Sequence, residues 1–213
     1  QMCIRDRPFM NPPPHQFDLY LPGWIPAFLK DQPEFFLSSE ERMKLVLSLT
    51  DRQIEEGTGG PFGAAVFELE SGRLISVGVN RVVVTGCSTA HAEVMALSLA
   101  QKAVGTHDLG SEKLPEFQIV VNAQMCAMCL GAVIWSGVKE VCYAATSREV
   151  EQITGFDEGP LPSNIQGVLR QRGIRLKEKI MVEESKRLLE KYVTIGGLVY
   201  NATRTQKLSL IHI

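Results

Sequence analysis

FQIVVNAQMCAMCLGAVIWSGVKEVCYA, residues 117 to 144, is the stretch on which the fold turns. Its first part, Phe117 to Val121, is a short apolar run whose length suits a buried strand. From Cys126 to Ser136 the apolar segment is longer, and Gly131 and Ala132 would let it pack closely on a sheet as a helix. Glu140 to Ala144 is a second short run of strand character. A strand, a helix and a strand in succession predict a parallel pair, because two parallel strands need a long crossover between them.

Outward from this unit, Ala64 to Leu69 and Leu74 to Val79 read as a strand pair around a turn at Ser71 and Gly72. A helix is expected from about Ala90 to Val104. Further upstream, Ser38 or Ser39 followed by Glu40 and Glu41 opens a helix whose apolar face is Met43, Leu45, Val46, Leu49 and Ile54; Gly57, Gly59 and Gly60 stop it. Downstream come a loop with Gly155 and Gly159, helical turns near Asn164 to Arg172, a strand at Ile174 to Lys177 and a helix from Val182 to Tyr192. The sum is an α/β chain, a three-layer α/β/α sandwich with a mixed central sheet. Pro8 to Gln32, with Pro12, Pro13, Pro14, Phe17, Tyr20, Trp24, Pro26 and Phe28, is expected to be an extended arm without regular helix, its aromatics packed on the domain or on a second subunit.

Both ends of the chain read as additions. Leu208 to Ile213 is what CTG TCT CTT ATA CAC ATC encodes, which resembles the transposase end used to tag sequencing libraries. The reverse complement of that DNA encodes Met2 to Asp6, and Arg7 fits its continuation. Residues 1–7 and 208–213 are therefore set aside as adapter-derived, together with Cys3 and His212, and the natural chain is free to extend past either end. The remaining residues are enough for one domain with its own core. A hydrophobic content of 45% with 22% charged residues is that of a globular protein, and no apolar run reaches membrane-spanning length. A net charge of -2 lacks the basic excess of a nucleic-acid binder. Cys87, Cys126, Cys129 and Cys142, with no visible secretory signal, read as thiols or metal ligands in a cytoplasmic protein.

The chemistry lies at two predicted helix starts, His91-Ala92-Glu93 and Cys126-Ala127-Met128-Cys129. Alone, neither decides anything. A His-x-Glu triplet is commonly a surface or capping pair, and Cys-x-x-Cys is half of a structural zinc site, a redox pair or two small buried side chains. Together, one imidazole and two thiolates supply three zinc ligands and leave a fourth position for water, the inventory of a catalytic site. Cysteines three apart share one helix face, and a helix N-terminus favours their thiolate form. Glu93, two residues from His91 and not needed as a ligand, is placed to carry protons.

With these residues the chain resembles the cytidine and nucleobase deaminase superfamily, whose zinc members carry H-x-E with P-C-x-x-C. Gly59-Gly60-Pro61-Phe62-Gly63-Ala64-Ala65-Val66, Asn80, Thr89 to Glu93, Cys126 to Ala132 and Gly155-Phe156-Asp157-Glu158 look most like its bacterial guanine deaminase branch, over roughly Ser39 to Arg204. The resemblance implies a cytidine deaminase-like fold over residues 38–207, with 8–37 as the arm. It also implies one zinc ion per subunit on His91, Cys126 and Cys129, and Glu93 as the proton shuttle. Glu158 would be a second catalytic carboxylate, and Asn80, Phe62 and Ala92 would meet the base. The implied substrate is a small purine, guanine first. The implied assembly is a homodimer whose C-terminal segments help close the pocket, with Tyr192 or Tyr200 as an aromatic lid.

Taken without the resemblance, Asn80 is a turn residue at a strand end, Phe62 a core residue and Glu158 a solvated acid. One departure stands out: Gln124-Met125 replaces the Glu-Pro that usually precedes the first cysteine, which removes a charge and a preset backbone but no ligand. A zinc-binding scaffold or base sensor is the non-enzymatic alternative. Guanosine, cytosine and amino-triazines such as ammeline are alternative substrates. A transfer-RNA adenosine deaminase is the enzymatic rival, for which Arg170, Arg172, Arg175, Lys177 and Lys179 would be the basic patch; the interleaved Glu178, Glu183, Glu184 and Glu190 favour a mixed solvated surface instead.

Overall fold

The computed structural model describes residues 17–201; both terminal runs read as adapter-derived lie outside the described residues. Five strands form one mixed sheet in the order β2-β1-β3-β4-β5, with β1 Gly63–Glu68, β2 Leu74–Val79, β3 Phe117–Ala123, β4 Glu140–Ala145 and β5 Arg175–Lys177. β1 is antiparallel to both β2 and β3, while β3, β4 and β5 run parallel. The parallel β3–β4 pair, with Ile119 opposite Val141, is crossed by helix α5 (Ala127–Ser136), as the strand-helix-strand pattern predicts.

Alternation along the strands divides the sheet between two cores. Ala64, Val66, Ile119, Val121 and Val141 face α4 (Ala92–Val104) and α5, whereas Ala65, Phe67, Val120, Cys142 and Ala144 face α2 (Ser39–Glu55). A third cluster links α6 (Ser147–Thr154) and α8 (Val182–Thr194) around Phe156. The three layers are those expected from the sequence. α4 lies unusually close to β2 because Gly78 has no side chain: a Cβ there would fall 2.1 Å from the Ala92 carbonyl oxygen and 2.5 Å from the Ala96 nitrogen. That contact sets the height of the α4 N-terminus, where His91 sits.

Residues 8–16 of the expected arm, with Pro12, Pro13 and Pro14, lie outside the described residues; the described part departs from expectation. Ile25–Lys30 is a short helix, α1, with Pro26 at its first turn, where the missing N–H would have no intrahelical partner in any case. Part of the arm packs on the chain's own domain: Ile25 and Phe36 are buried in the α2-side core, and Trp24 meets Phe28 edge to face at 6.0 Å between ring centroids, whereas Phe17 and Tyr20 stay largely exposed. Tyr20 lies under the Arg81 guanidinium, 5.4 Å from its ring centroid. Three shorter elements complete the chain: α3 Val82–Thr85 and α6, neither of which the periodicity predicts, and α7 Ile165–Gln171. Among the described residues no helix is long and apolar enough to cross a membrane.

Candidate active site

His91 and Cys126 occupy equivalent positions, each the extended N-cap residue of a helix, α4 and α5 respectively. Neither helix start has a side-chain cap, so the positive ends of their dipoles are left facing the ligand cluster, although the first N–H of α5, on Ala127, is taken by the Glu158 carbonyl. Cys129 lies one turn into α5 on the face of Cys126. The Sγ atoms of Cys126 and Cys129 each stand 3.6 Å from His91 Nδ1, and all three ligand atoms lie within 4.8 Å of one another. Zinc–nitrogen and zinc–sulfur bonds at a tetrahedral angle imply an N···S edge of about 3.6 Å, so the triangle fits zinc without rearrangement. Hydrogen bonding from the Cys129 thiol, then from His91, holds Cys126 down at about 4, the thiolate form a metal requires.

His91 and Cys126 line one cavity of about 530 Å³ together with Glu93, Glu158, Phe62, Phe156, Met128 and Tyr200, and Cys129 is buried beside it. Both carboxyl side chains are buried, each 6% exposed. Burial, reinforced by the Cys126 charge, raises Glu93 above the ordinary carboxylate range. Burial first, then the charges of Cys126 and Glu93, pushes Glu158 up to about 9. Glu158 is delivered by the loop after α6, where Gly155 ends the helix in the left-handed conformation (φ 78°) and the Glu158 carbonyl accepts the Ala127 N–H at 3.0 Å. Phe62 forms an aromatic wall with Phe156, ring centroids 5.2 Å apart.

Two residues expected to meet the base are not on this wall. The Ala92 side chain is fully buried in the core beneath α4. Asn80 is 1% exposed; its Oδ1 accepts the Val82 N–H at 3.2 Å, and its amide lies behind Gly60, close to the Tyr200 hydroxyl. Of the two tyrosines weighed as a lid, Tyr200 lines the cavity, whereas Tyr192 stacks behind it on Phe156 at 6.3 Å between centroids. The C-terminal segment is tied to its own chain, with Asn201 donating to the Gly155 carbonyl and accepting the Asp157 N–H. Gln124, on the wall, accepts the Ser147 N–H at 3.0 Å, and Met125 is completely buried in the α5-side core. The exchange of Glu-Pro for Gln-Met is thus taken up by a hydrogen bond to α6 and by core packing. Gln124, Met128 and Phe156 lie in or beside the motifs quoted above without having been singled out for the wall, and Asn201 lies in no motif at all. In the basic patch, Arg175 pairs with Glu116 and Glu140, and Lys177 with Glu140.

The fold, the ligand triangle and the adjacent buried carboxyl define a zinc-dependent deaminase site, and residues 38–145 match the family model for the cytidine and deoxycytidylate deaminase zinc-binding region. The chain belongs to that family, and His91, Cys126 and Cys129 form the cluster that could hold its metal. Within it, the chain is 31% identical to the guanine deaminase of Bacillus subtilis (strain 168) over 147 residues, 69% of this chain and 89% of that protein. It is 45% identical to the crystallised guanine deaminase of Nitrosomonas europaea, with a TM-score of 0.79, covering 84% of this chain and 97% of the other. A structure of the protein NE0047 in complex with 2,6-diaminopurine is 46% identical at the same TM-score, 0.79, over 86% of this chain and 96% of that one.

Proposed function

We propose that the protein hydrolyses guanine to xanthine and ammonia. The observation that carries this reading is the second buried carboxyl, Glu158, in one cavity with Glu93, His91 and Cys126: a purine offers ring nitrogens and an exocyclic amine to two acids at once. Likeness to guanine deaminases over most of the chain supports the same substrate. Zinc, when bound, supplies a water acidified towards neutrality. Held by His91, Cys126 and Cys129, the ion would activate that water for attack on C2 of guanine; Glu93 is the group placed to accept a proton and hand it to the neighbouring ring nitrogen. It then moves the second water proton to the amino nitrogen as the C2–N bond breaks, which leaves a carbonyl at C2 and releases ammonia. Glu158, held neutral by burial, donates a hydrogen bond that orients the purine. Phe62 and Phe156 stack on the base, and Asn80, behind that wall, holds it through the bond from its backbone N–H to the Phe62 carbonyl.

The catalytic unit we propose is a homodimer in the cytoplasm, working in purine breakdown. The outward face of α5 supports the dimer: Met128, Gly131, Ala132 and Trp135 follow helical spacing, Trp135 is 82% exposed, and Met128 joins this face to the cavity. The pairing of Arg175 and Lys177 with acids weighs against a nucleic-acid substrate. Ammonia release from purified protein offered guanine, guanosine, cytosine, adenine and ammeline tests the assignment. Turnover of guanine above the others is expected; release from none of them promotes the scaffold reading. Sedimentation at working concentration tests the dimer.

A further inference from the structure

The residues that join the N-terminal arm to the cavity form a single hydrogen-bond relay. The Trp24 indole N–H donates to Thr58 Oγ1 at 3.1 Å, and that hydroxyl donates to Gln53 Oε1 at 2.6 Å. Gln53 Nε2 in turn donates to the Asn80 carbonyl at 2.8 Å. Every donor in the chain has one acceptor, so the Gln53 amide orientation is set by its neighbours. Gln53 is fully buried, and breaking the relay would leave polar atoms without partners inside the protein. A second link runs parallel to the first: Arg81, whose guanidinium lies over Tyr20 of the arm, donates to the Thr58 carbonyl at 2.6 Å.

The far end of the relay is the wall of the base pocket. Asn80 N–H donates to the Phe62 carbonyl at 3.0 Å, so the residue held by Gln53 also holds the loop that presents Phe62. Gly59 makes the arrangement possible, because a Cβ there would lie 1.9 Å from the Asn80 carbonyl oxygen and 2.2 Å from Gln53 Nε2. Gly60 packs next, against the Asn80 amide and the Tyr200 hydroxyl. None of these bonds touches the N-termini of α4 or α5, where the metal ligands and Glu93 sit.

We propose that the N-terminal arm is a positioning element for substrate binding: Trp24, acting through Thr58, Gln53 and Asn80 behind the wall, holds Phe62 in register with the zinc side of the pocket. The inference rests on the reading that this wall meets the purine. A looser wall weakens binding of the base in the ground state and the transition state alike, which raises KM and leaves kcat unchanged.

The test is steady-state deamination of guanine by the full-length, zinc-loaded protein. Thr58→Val keeps the shape and removes the hydroxyl; it is expected to raise KM roughly three- to tenfold, the scale of one hydrogen bond in a buried network, with kcat and zinc content at native values. Thr58→Ser restores the hydroxyl and should restore KM. Trp24→Phe keeps a ring in the arm but loses its N–H, and should raise KM in the same direction even if Thr58→Val folds poorly. A purely structural role would lower the melting temperature of these variants without moving KM, and that result overturns the proposal. Phe62→Ala separates the two levels: if it raises KM while Thr58→Val and Trp24→Phe do not, the relay alone fails. If Phe62→Ala also leaves KM unchanged, the wall reading fails and takes the relay with it.

Discussion

Helices α2 and α6 begin differently from helices α4 and α5. At α2, Ser38 Oγ accepts the Glu41 N–H at 3.1 Å while the Glu41 carboxylate accepts the Ser38 N–H, and at α6 Thr146 and Glu149 make the same reciprocal pair. At α4 and α5 the N-cap residues are His91 and Cys126, and neither makes a cap hydrogen bond. A good cap contributes about 1 kcal/mol, so the two helices that hold the metal ligands do without that stabilisation. What they keep is an N-terminus without a side-chain cap, whose dipole favours negative charge at the ligand cluster. Of these four helices the two scaffold ones are capped and the two that carry the metal ligands are not; α8, scaffold as well, starts at Met181 without a side-chain cap.

Capping a site helix should have the largest effect. Cys126→Ser supplies the missing N-cap hydroxyl and removes a zinc ligand. Elemental analysis should find the zinc lost and assays should find no turnover. Metal-free Cys126→Ser should nevertheless be at least as stable as the metal-free native chain, by up to about 1 kcal/mol. Native zinc occupancy in this variant would show that the ligand triangle is misassigned.

Glu93→Gln comes next. It should keep the fold and one zinc per subunit but lose at least about two to four orders of magnitude in kcat, because the same carboxylate is asked to move protons in two steps. Native-like turnover would overturn the mechanism.

Glu158→Gln is expected to cost less, roughly ten- to a hundredfold on guanine, since an amide still donates a hydrogen bond. Its signature is in stability against pH. The folded-state pKa of Glu158 is raised to about 9 from 4.5, so the native chain binds the extra proton through that window and loses stability as pH rises through it. Glu158→Gln lacks this slope, and its stability relative to native should increase from pH 5 to pH 9 in urea melts. A constant difference would show that the carboxyl is not desolvated.

Thr146→Ala sets the scaffold end of the scale: a loss of about 1 kcal/mol in urea unfolding with native kcat and KM. The Glu149 carboxylate should act with the opposite sign to Glu158. Its pKa is lowered, first by the hydrogen bond from the Thr146 N–H, so its stabilisation is present above pH 4.5 and is lost as pH falls through the folded value. The stability gap between native and Glu149→Ala should therefore close in acid.

Much of the frame could be read along the chain. The helix through Met43, Leu45 and Val46, the β1–β2 hairpin and the β3–α5–β4 unit follow from periods of 3.6 and 2, and the structure places them within a residue or two of expectation. α6 had a readable signal that periodicity overlooks, since Thr146 and Glu149 form a capping box and Gly155 stops the helix. α1 was hidden by its proline, which suits a first turn as well as it suits an extended arm. α3, a single turn of Val82, Val83, Val84 and Thr85, carries only β-branched residues and no helical propensity to read.

What the sequence determined by itself was local: which segments are strands or helices, and that His91, Cys126 and Cys129 each fall at a helix start. Caps, turns and periodicities act over a few residues, so the order of the chain displays them. Only the tertiary structure decided that Glu158 turns inward to become a buried acid, that Tyr200 rather than Tyr192 reaches the cavity, and that Ala92 and Asn80 lie behind its surface. It also decided that an arm expected to lie extended returns through Trp24 to Thr58. Those outcomes depend on groups distant in the chain meeting in one packed volume, where burial sets the charge of an acid and the lack of a Cβ at Gly59 or Gly78 sets how closely two segments approach.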